Sequence, residues 1–187
     1  MNLITKIAGT LIITSGLLMA AEYKLDNEHT NVGFTVKHLM ITNVHGKFKT
    51  YDAKIDFDKE KKTFNAFSAN VVTDSVDTGI EKRDDHLRSD DFFASDKFEN
   101  MTFVMTSYEA DGNEGKMKGN LTIRGISKPI ILKVEDLALM GNKVGFSLEG
   151  KINRTDFDLK WNKAIELGGV AVSEEVKIKV DVEASIK

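Results

Sequence analysis

The sequence contains no cysteine, so the chain has no disulfide framework and no thiolate to act as a nucleophile or a metal ligand. Proline is nearly absent as well, with Pro129 the single example among 187 residues. The chain also lacks a proline- or serine-rich linker, a low-complexity tract and any abrupt shift in composition. These absences favour one domain, and a chain of this size can bury a sizeable core without disulfides.

Neither sign of charge is in large excess. Lys and Arg number 26 against 29 Asp and Glu, which gives a formal net charge of -3. Because nucleic-acid binding requires a basic surface, this balance argues against a nucleic-acid partner, and it argues equally against polybasic docking on anionic lipid. After residue 21 no stretch is apolar enough to span a bilayer as a helix, so we expect no stable membrane insertion.

The first 21 residues have the layout of a secretory signal peptide. Lys6 provides a positive charge, the stretch Ile7–Met19 is mainly apolar, and Ala20 and Ala21 are small residues suited to cleavage. The apolar stretch is shorter than the roughly 20 residues of a membrane span. We therefore expect a cleaved signal peptide over residues 1–21, a mature domain over residues 22–187 and a periplasmic location; an uncleaved anchor is the alternative.

Most of the mature chain alternates apolar and polar residues with a period of two. In Val176–Ile186 every even-numbered residue is apolar and every odd-numbered residue is polar, which is typical of a strand with one wet face. Gly141 and Asn142 suit a tight turn between two such stretches. Many strands joined by short turns predict an antiparallel barrel or sandwich. The alternation recurs at residues 32–36, 51–57, 67–71, 101–105, 117–123, 130–134 and 144–152.

Phe48 breaks the alternation, because it has the opposite parity from Tyr51–Phe57. This mismatch predicts a bulge or bend near Lys49–Thr50.

A polar segment, Ser75–Phe93, interrupts the strand pattern and predicts a short helical insertion over Thr78–Phe93. At the mouth of an apolar barrel it would suit an amphiphile with an apolar tail and a polar head. Arg83 within it can recognise an anion through two parallel hydrogen bonds, or it can form an internal ion pair with a nearby Asp; both interpretations remain open. For Arg154 we expect a structural bond to Asp156 or to a turn carbonyl.

Signatures of catalysis and of metal binding are missing. The four histidines lack the close spacing of a metal site, and the chain has no G-x-S-x-G elbow and no phosphate-binding loop. We therefore expect no catalytic residue, no metal and no cofactor. His38 shares its parity with Phe34 and Val36, so it is predicted to point inside, where an imidazole needs a polar partner.

Short motifs run through the mature chain in a specific order and spacing, although each is weak alone. They are Asp26 with His29, Phe34-x-x-x-His38, Gly46-Lys47-Phe48, Ser75-Val76-Asp77-Thr78, Arg83-Asp84-x-His86-Leu87, Asp91-Phe92-Phe93, Gly119-x-Leu121-Thr122-Ile123-x-Gly125, Lys128-Pro129 and Arg154-Thr155-Asp156-Phe157. Over Tyr23–Lys187 the chain therefore resembles the YceI-like family of polyisoprenoid-binding, lipocalin-like exported proteins. It departs from the family at Asp158, where Gly is usual, and at Glu99, where Pro is frequent.

The resemblance implies an all-β fold, an antiparallel eight-stranded lipocalin-like barrel with a short helical insertion. It implies an apolar lumen that holds a polyisoprenoid or another long-chain amphiphile, such as a fatty acid or amide. It also implies no catalytic residues, and a homodimer in some members.

From these observations we predict an exported lipid-binding protein that sequesters or transports its ligand. The alternatives are an enzyme that acts on a lipid with His38 or His86 as base, and an interaction module whose core is full. Arg83, Asp84 and His86 are predicted to shape the mouth or contact the head group. The residues predicted to line the lumen are Phe34, Val36, His38, Phe103, Met105, Phe146 and Leu148.

Overall fold

The computed structural model describes residues 21–164 and 171–186, so residues 1–20 of the predicted signal peptide (residues 1–21) lie outside the described residues. The chain forms eleven β-strands, one α-helix and two short 3-10 turns in this part. The 3-10 turns are Thr73–Ser75 and Arg154–Phe157, and the helix α1 is Glu81–Arg88. The strands are β1 (Ala21–Leu25), β2 (Asn31–His38), β3 (Thr42–Phe48), β4 (Tyr51–Asp58), β5 (Thr63–Val72), β6 (Val76–Asp77), β7 (Asn100–Asp111), β8 (Glu114–Ile123), β9 (Ile126–Met140), β10 (Lys143–Asn153) and β11 (Val172–Ile186).

Eight of the described strands close an antiparallel barrel, which confirms the predicted fold class. They follow the order β1-β4-β5-β7-β8-β9-β10-β11, and β1 pairs with β11 to complete the ring. Strands β2 and β3 extend the sheet above β1 and β4, since β2 pairs with the first part of β11 and with β3. The chain bends between the end of β3 at Phe48 and the start of β4 at Tyr51, as expected near Lys49–Thr50. The two strands have different partners, since β3 pairs with β6 and β4 pairs with β5.

The strand pattern of the sequence is matched in detail at the C-terminus. Along β11 the even-numbered residues from Val176 are the more buried ones, and the strand pairs with β10 over eleven consecutive residues. The turn between β9 and β10 has two residues, with Met140 opposite Lys143 and Gly141 at a φ of +63°. Both features agree with the prediction, because a buried face fixes the register of a strand.

The barrel has two unlike halves. The lower half is the end that carries the β9–β10 turn, and the upper half is the end that carries α1 and the β2–β3 turn. Aromatic rings fill the lower half, where the centroid of Phe64 lies 4.9 Å from Phe57, 4.9 Å from Phe146 and 5.0 Å from Tyr108. Such close contacts between rings exclude empty space.

No helix in the described part of the chain is long and apolar enough to cross a membrane. α1 is polar over most of its length, and it attaches to the barrel beside β6.

Candidate functional site

An apolar cavity of about 190 Å³ occupies the upper half of the barrel. Its floor is formed by Phe67 and Phe103, whose ring centroids lie 6.2 Å apart. Apart from Gly33, Thr102 and Arg154, the described residues that line it have hydrocarbon or thioether side chains. A dry space with such walls favours an apolar occupant, because water finds no hydrogen-bond partners there.

Neighbouring strands β2 and β11 provide one wall of this cavity. Phe34 lies opposite Ile178 in the ladder, and Val36 lies opposite Val176. All four side chains line the cavity. The alternation of both strands therefore produces one continuous apolar surface, because residues of the same parity point to the same face.

Two glycines leave room for the rings of this cavity. A Cβ atom on Gly46 would lie 2.2 Å from the Cζ atom of Phe34, and a Cβ atom on Gly119 would lie 2.3 Å from the Cζ atom of Phe103. Both rings therefore lie across the glycine of the adjacent strand. Sequence alone shows the glycines but not this role, since it depends on the strand register.

The helical insertion closes the cavity from the side of β5 and β7. Leu87 of α1 and the two following aromatic residues, Phe92 and Phe93, line the space. The ring of Phe93 packs edge-on against Phe48 at 5.6 Å. These three residues were not predicted as lining residues, although they are among the few apolar positions of an otherwise polar segment.

A small polar network fixes the start of α1. Asp84 is 6% exposed, and its carboxylate accepts hydrogen bonds from the N–H (2.9 Å) and the hydroxyl group of Thr78. Arg83 donates from Nε to the Thr78 hydroxyl at 2.7 Å and from a terminal nitrogen to the Thr78 carbonyl at 2.9 Å. Arg83 and Asp84 do not line the cavity. Of the two interpretations of Arg83, this geometry favours a structural role, although its partner is a threonine and not an aspartate.

His86 lies on the outer side of the same insertion. Its Nε2 atom is 2.9 Å from an oxygen of Asp91, and its ring packs edge-on against Phe92 at 5.0 Å and Trp161 at 4.8 Å. Phe92 lines the cavity, whereas His86 does not. The Phe92 ring therefore lies between the imidazole and the cavity.

Arg154 is a buried cation beside the cavity. It is 4% exposed, and it donates hydrogen bonds to the main-chain carbonyls of Ser173 (2.9 Å), Val172 (3.2 Å) and Leu159. Burial lowers the pKa of Arg154 from its usual value. The carbonyl partners agree with the expectation of a turn carbonyl, and they tie the segment after the second 3-10 turn to the start of β11.

Four of the seven predicted lumen residues line the cavity. These are Phe34, Val36, Phe103 and Leu148.

The other three lumen predictions differ from the structure. His38 is exposed at the upper end of β2, so the prediction of a polar contact inside the lumen is wrong. Phe146 is 3% exposed but packs in the filled lower half against Phe64 and Phe67. Met105 is half-buried against the main core and does not line the cavity.

One group of three potential metal ligands occurs among the described residues. Ligand atoms of Asp26, His29 and Glu183 lie within 4.8 Å of one another. His29 Nδ1 is 3.0 Å from Asp26, and the ammonium group of Lys143 lies 2.5 Å from Glu183. Each carboxylate thus already has a partner within the protein, so the group carries no argument for a metal.

Comparisons of sequence and of structure with known proteins point to the same family. The model of the YceI-like domain matches residues 23–184. The chain is 36% identical over 189 residues to Protein YceI of Salmonella newport (strain SL254), covering 97% of this chain and 96% of that protein. It is similar to the crystal structure of a Campylobacter jejuni YCEI protein, with 44% identity, a TM-score of 0.71 and coverage of 88% of this chain and 98% of that one.

A more distant structure shares the fold. It is a polyisoprenoid binding domain from Saccharophagus degradans, described as implicated in plant cell wall breakdown, with 16% identity and a TM-score of 0.66. The alignment covers 88% of this chain and 98% of that one.

Proposed function

Because this chain belongs to the YceI-like domain family, we propose that its barrel holds a long-chain amphiphile in the upper cavity. The ligand is a polyisoprenoid or a fatty acid or amide, and the protein is exported to the periplasm, where it sequesters or transports that ligand. The cavity is the observation that carries the proposal. Its walls offer apolar contact on every described side, with Thr102 and Arg154 the only polar side chains among them.

The energetics agree with this role. Burial of apolar surface contributes roughly 25 cal/mol per Å², so a tail that buries about 400 Å² gains on the order of 10 kcal/mol. Lost translational freedom and ordering of the tail remove several kcal/mol of that gain. A micromolar or tighter complex therefore needs no charged contact, and the cavity selects length and shape more than head-group chemistry.

Enzymatic turnover has no observation in its favour. Both histidines considered as bases lie off the cavity wall, since His38 is exposed beyond it and His86 is bonded to Asp91 outside it. An interaction module with a filled core fits less well than a ligand carrier, because only the lower half of the described barrel is filled.

The test begins with native mass spectrometry of the purified mature protein, followed by solvent extraction and identification of the lipid. We expect one long-chain lipid per protein, or uptake of an added polyprenol or fatty amide by the emptied protein. Ligand entry is followed through Trp161, which contacts the cavity-lining Phe92 at a centroid distance of 5.4 Å. A protein that is empty and takes up neither ligand would overturn the proposal.

A pair of variants locates the binding site. Ala69→Phe places a ring in the cavity, because Ala69 lines it. We expect this change to weaken binding at least about tenfold, since it removes space for several methylene groups of the ligand. Val104→Phe is the control, because Val104 is 51% exposed on the outer face of the neighbouring strand β7. Equal affinities of the two variants would place the ligand elsewhere.

A further inference from the structure

The turn between β2 and β3 carries two exposed apolar side chains. Met40 is 56% exposed and Ile41 is 76% exposed. They stand in the turn at the upper end of β2 and β3, just beyond the last β2–β11 pair, His38 opposite Val172. We call residues Leu39–Ile41 the tip.

The backbone of the tip adopts an unfavourable conformation for its sequence. Leu39 and Met40 both have left-handed φ angles, +49° and +60°, and the N–H of Ile41 donates to the carbonyl of His38 at 3.1 Å. A turn of this kind normally uses Asn and Gly, because other L-residues are strained there. The exposed side chains of Met40 and Ile41 contribute little to folding stability. The backbone strain at this turn therefore indicates a functional role and not a structural one.

The tip lies at the cavity end of the barrel. Val36, two residues before the end of β2, lines the cavity, and so does Val172, which lies opposite His38 in the ladder. The N–H of Leu39 donates to the carbonyl of Ala171 at 2.9 Å, which joins the tip to the segment beside the cavity.

Two exposed lysines flank the tip among the described residues. Lys37 precedes it along β2, and Lys163 is joined to it through the hydrogen bond from the Ala171 N–H to the Lys163 carbonyl. On the neighbouring strand β11, Glu174 and Glu175 follow Val172 by two and three residues, and Glu175 is paired with Lys151 at 3.2 Å. Exposed apolar residues flanked by lysines fit the surface of a bilayer that contains anionic lipid.

We propose that the tip inserts into the surface of a lipid bilayer and thereby brings the cavity against the source of its ligand. This inference rests on the proposed function, because a long-chain amphiphile in a bilayer is costly to move through water. Docking places the apolar wall of β2 and β11 next to the acyl region, so the tail crosses little water. The net charge of -3 supplies no long-range attraction to anionic lipid, so insertion of Met40 and Ile41 drives the contact and the local cations orient it.

The chain offers a matched control for this proposal at the opposite end of the barrel. Leu139 is 40% exposed and Met140 is 76% exposed beside the β9–β10 turn. The tip variant is Met40→Asp with Ile41→Asp, and the control variant is Leu139→Asp with Met140→Asp. Asp tolerates the left-handed conformation of residue 40 better than Met does, so the tip variant keeps the turn.

The first measurement is flotation of the full-length mature protein with vesicles of phosphatidylethanolamine and phosphatidylglycerol, without added ligand. We expect the wild type and the control variant to float and the tip variant to stay in solution. Equal flotation of all three proteins, or of none, overturns the proposal. A loss of self-association in the tip variant, with flotation unchanged, overturns it as well by assigning the tip to a second copy of this chain.

The second measurement is the rate at which cis-parinaric acid moves from the same vesicles into the protein. We expect the tip variant to be slower by at least about tenfold, because two apolar anchors are lost, and the control variant to match the wild type. Binding of the same probe added as monomer to buffer should be equal in all three proteins. If the wild type does not bind the monomer, the proposed function fails, and flotation still decides whether the tip docks. Equal transfer rates from vesicles overturn the docking proposal and leave lipid binding intact.

Discussion

Asp26 and His29 form an exposed pair at the entrance to β2. Asp26 also accepts a hydrogen bond from the N–H of Glu28 at 3.0 Å, so its carboxylate shapes the connection between β1 and β2. The hydrogen bond with His29 lowers the pKa of Asp26, and the same bond, with a smaller contribution from Glu183, raises the pKa of His29. Each partner therefore favours the charged form of the other.

This pair predicts a pH-dependent contribution to stability. The raised pKa of His29 means that its contribution is complete below the usual histidine value and is lost as the pH rises through the folded value. The lowered pKa of Asp26 means that its contribution is present above the usual aspartate value and is lost as the pH falls through the folded value. The difference in unfolding free energy between wild type and His29→Gln should be largest at about pH 5 and fade by about pH 9. Chemical unfolding across this range measures it.

Asp26→Asn is the complementary variant for the same experiment. It should remove the same pH dependence, because either change breaks the pair. Added salt should weaken the effect, since both groups are exposed. A difference that stays constant with pH would show that the pair is unimportant in solution.

Asp158 shows how one residue can replace another at a demanding backbone position. It stands where the YceI-like family usually has Gly, and its φ is +62° at the end of the second 3-10 turn. Asp is among the few residues that tolerate this region. The turn therefore keeps its shape despite the departure, and the carboxylate gains a partner in Lys160 at 2.8 Å.

At the scale of elements, period-two alternation predicts the face of a residue but not its height in the barrel. Phe34, Val36 and His38 share one parity, yet His38 lies above the cavity wall and is exposed. Phe146 and Leu148 also share a parity, yet Phe146 lies below the cavity floor. The side of a strand follows from local chemistry. Height depends on where each strand begins relative to its neighbours, and a single sequence does not contain that information.

The helical insertion shows the same limit. Its polar residues predict a helix near the mouth, and α1 lies there, but the sequence does not tell which polar groups face a ligand and which hold the loop. Asp84 and Arg83 hold the loop through Thr78. Which polar groups hold the loop depends on contacts between residues five and six positions apart, in a segment whose path is irregular.

The hydrogen bonds around Thr78 predict that the stability of α1 depends on Asp84. Asp84→Ala leaves the N–H and hydroxyl of Thr78 without their acceptor, which should cost about 1–3 kcal/mol of unfolding free energy. Amide hydrogen exchange over Gly79–Arg88 should accelerate, and ligand release should become faster, because Leu87 and the residues after α1 close the cavity. The control is Asp85→Ala on the same helix, whose exposed pair with Arg88 contributes about 0–1 kcal/mol. Equal exchange in the two variants would contradict this role of Asp84.

At the scale of the whole molecule, the barrel divides stability and binding between its halves. The lower half is packed with rings, and the upper half keeps an apolar space beside them. Packed rings contribute to the free energy of unfolding through many dispersion contacts. The space contributes less to folding, because its walls lack partner atoms until a ligand is present.

This division predicts opposite effects for two Phe→Ala changes. Phe146→Ala in the filled half should lower the unfolding free energy by about 3–5 kcal/mol and leave the affinity of the folded protein nearly unchanged. Phe34→Ala in the cavity wall should lower stability less, because Phe34 is only half-buried, and weaken ligand binding more. Chemical unfolding and ligand titration on both variants measure the two quantities. If stability and ligand affinity fall in the same proportion in both variants, the two halves do not divide stability and binding between them.

The ladder between β1 and β11 joins nearly the two ends of the described chain, with Tyr23 opposite Ile186. Contacts between such distant positions slow folding, because a long loop must close before they form. Until β11 docks, β10, β1 and β2 each keep an unpaired edge and the apolar wall faces water. The wall of the binding cavity is therefore complete only when β11 has paired with its neighbours, and a chain in which β11 is still unpaired exposes both strand edges and apolar surface to aggregation.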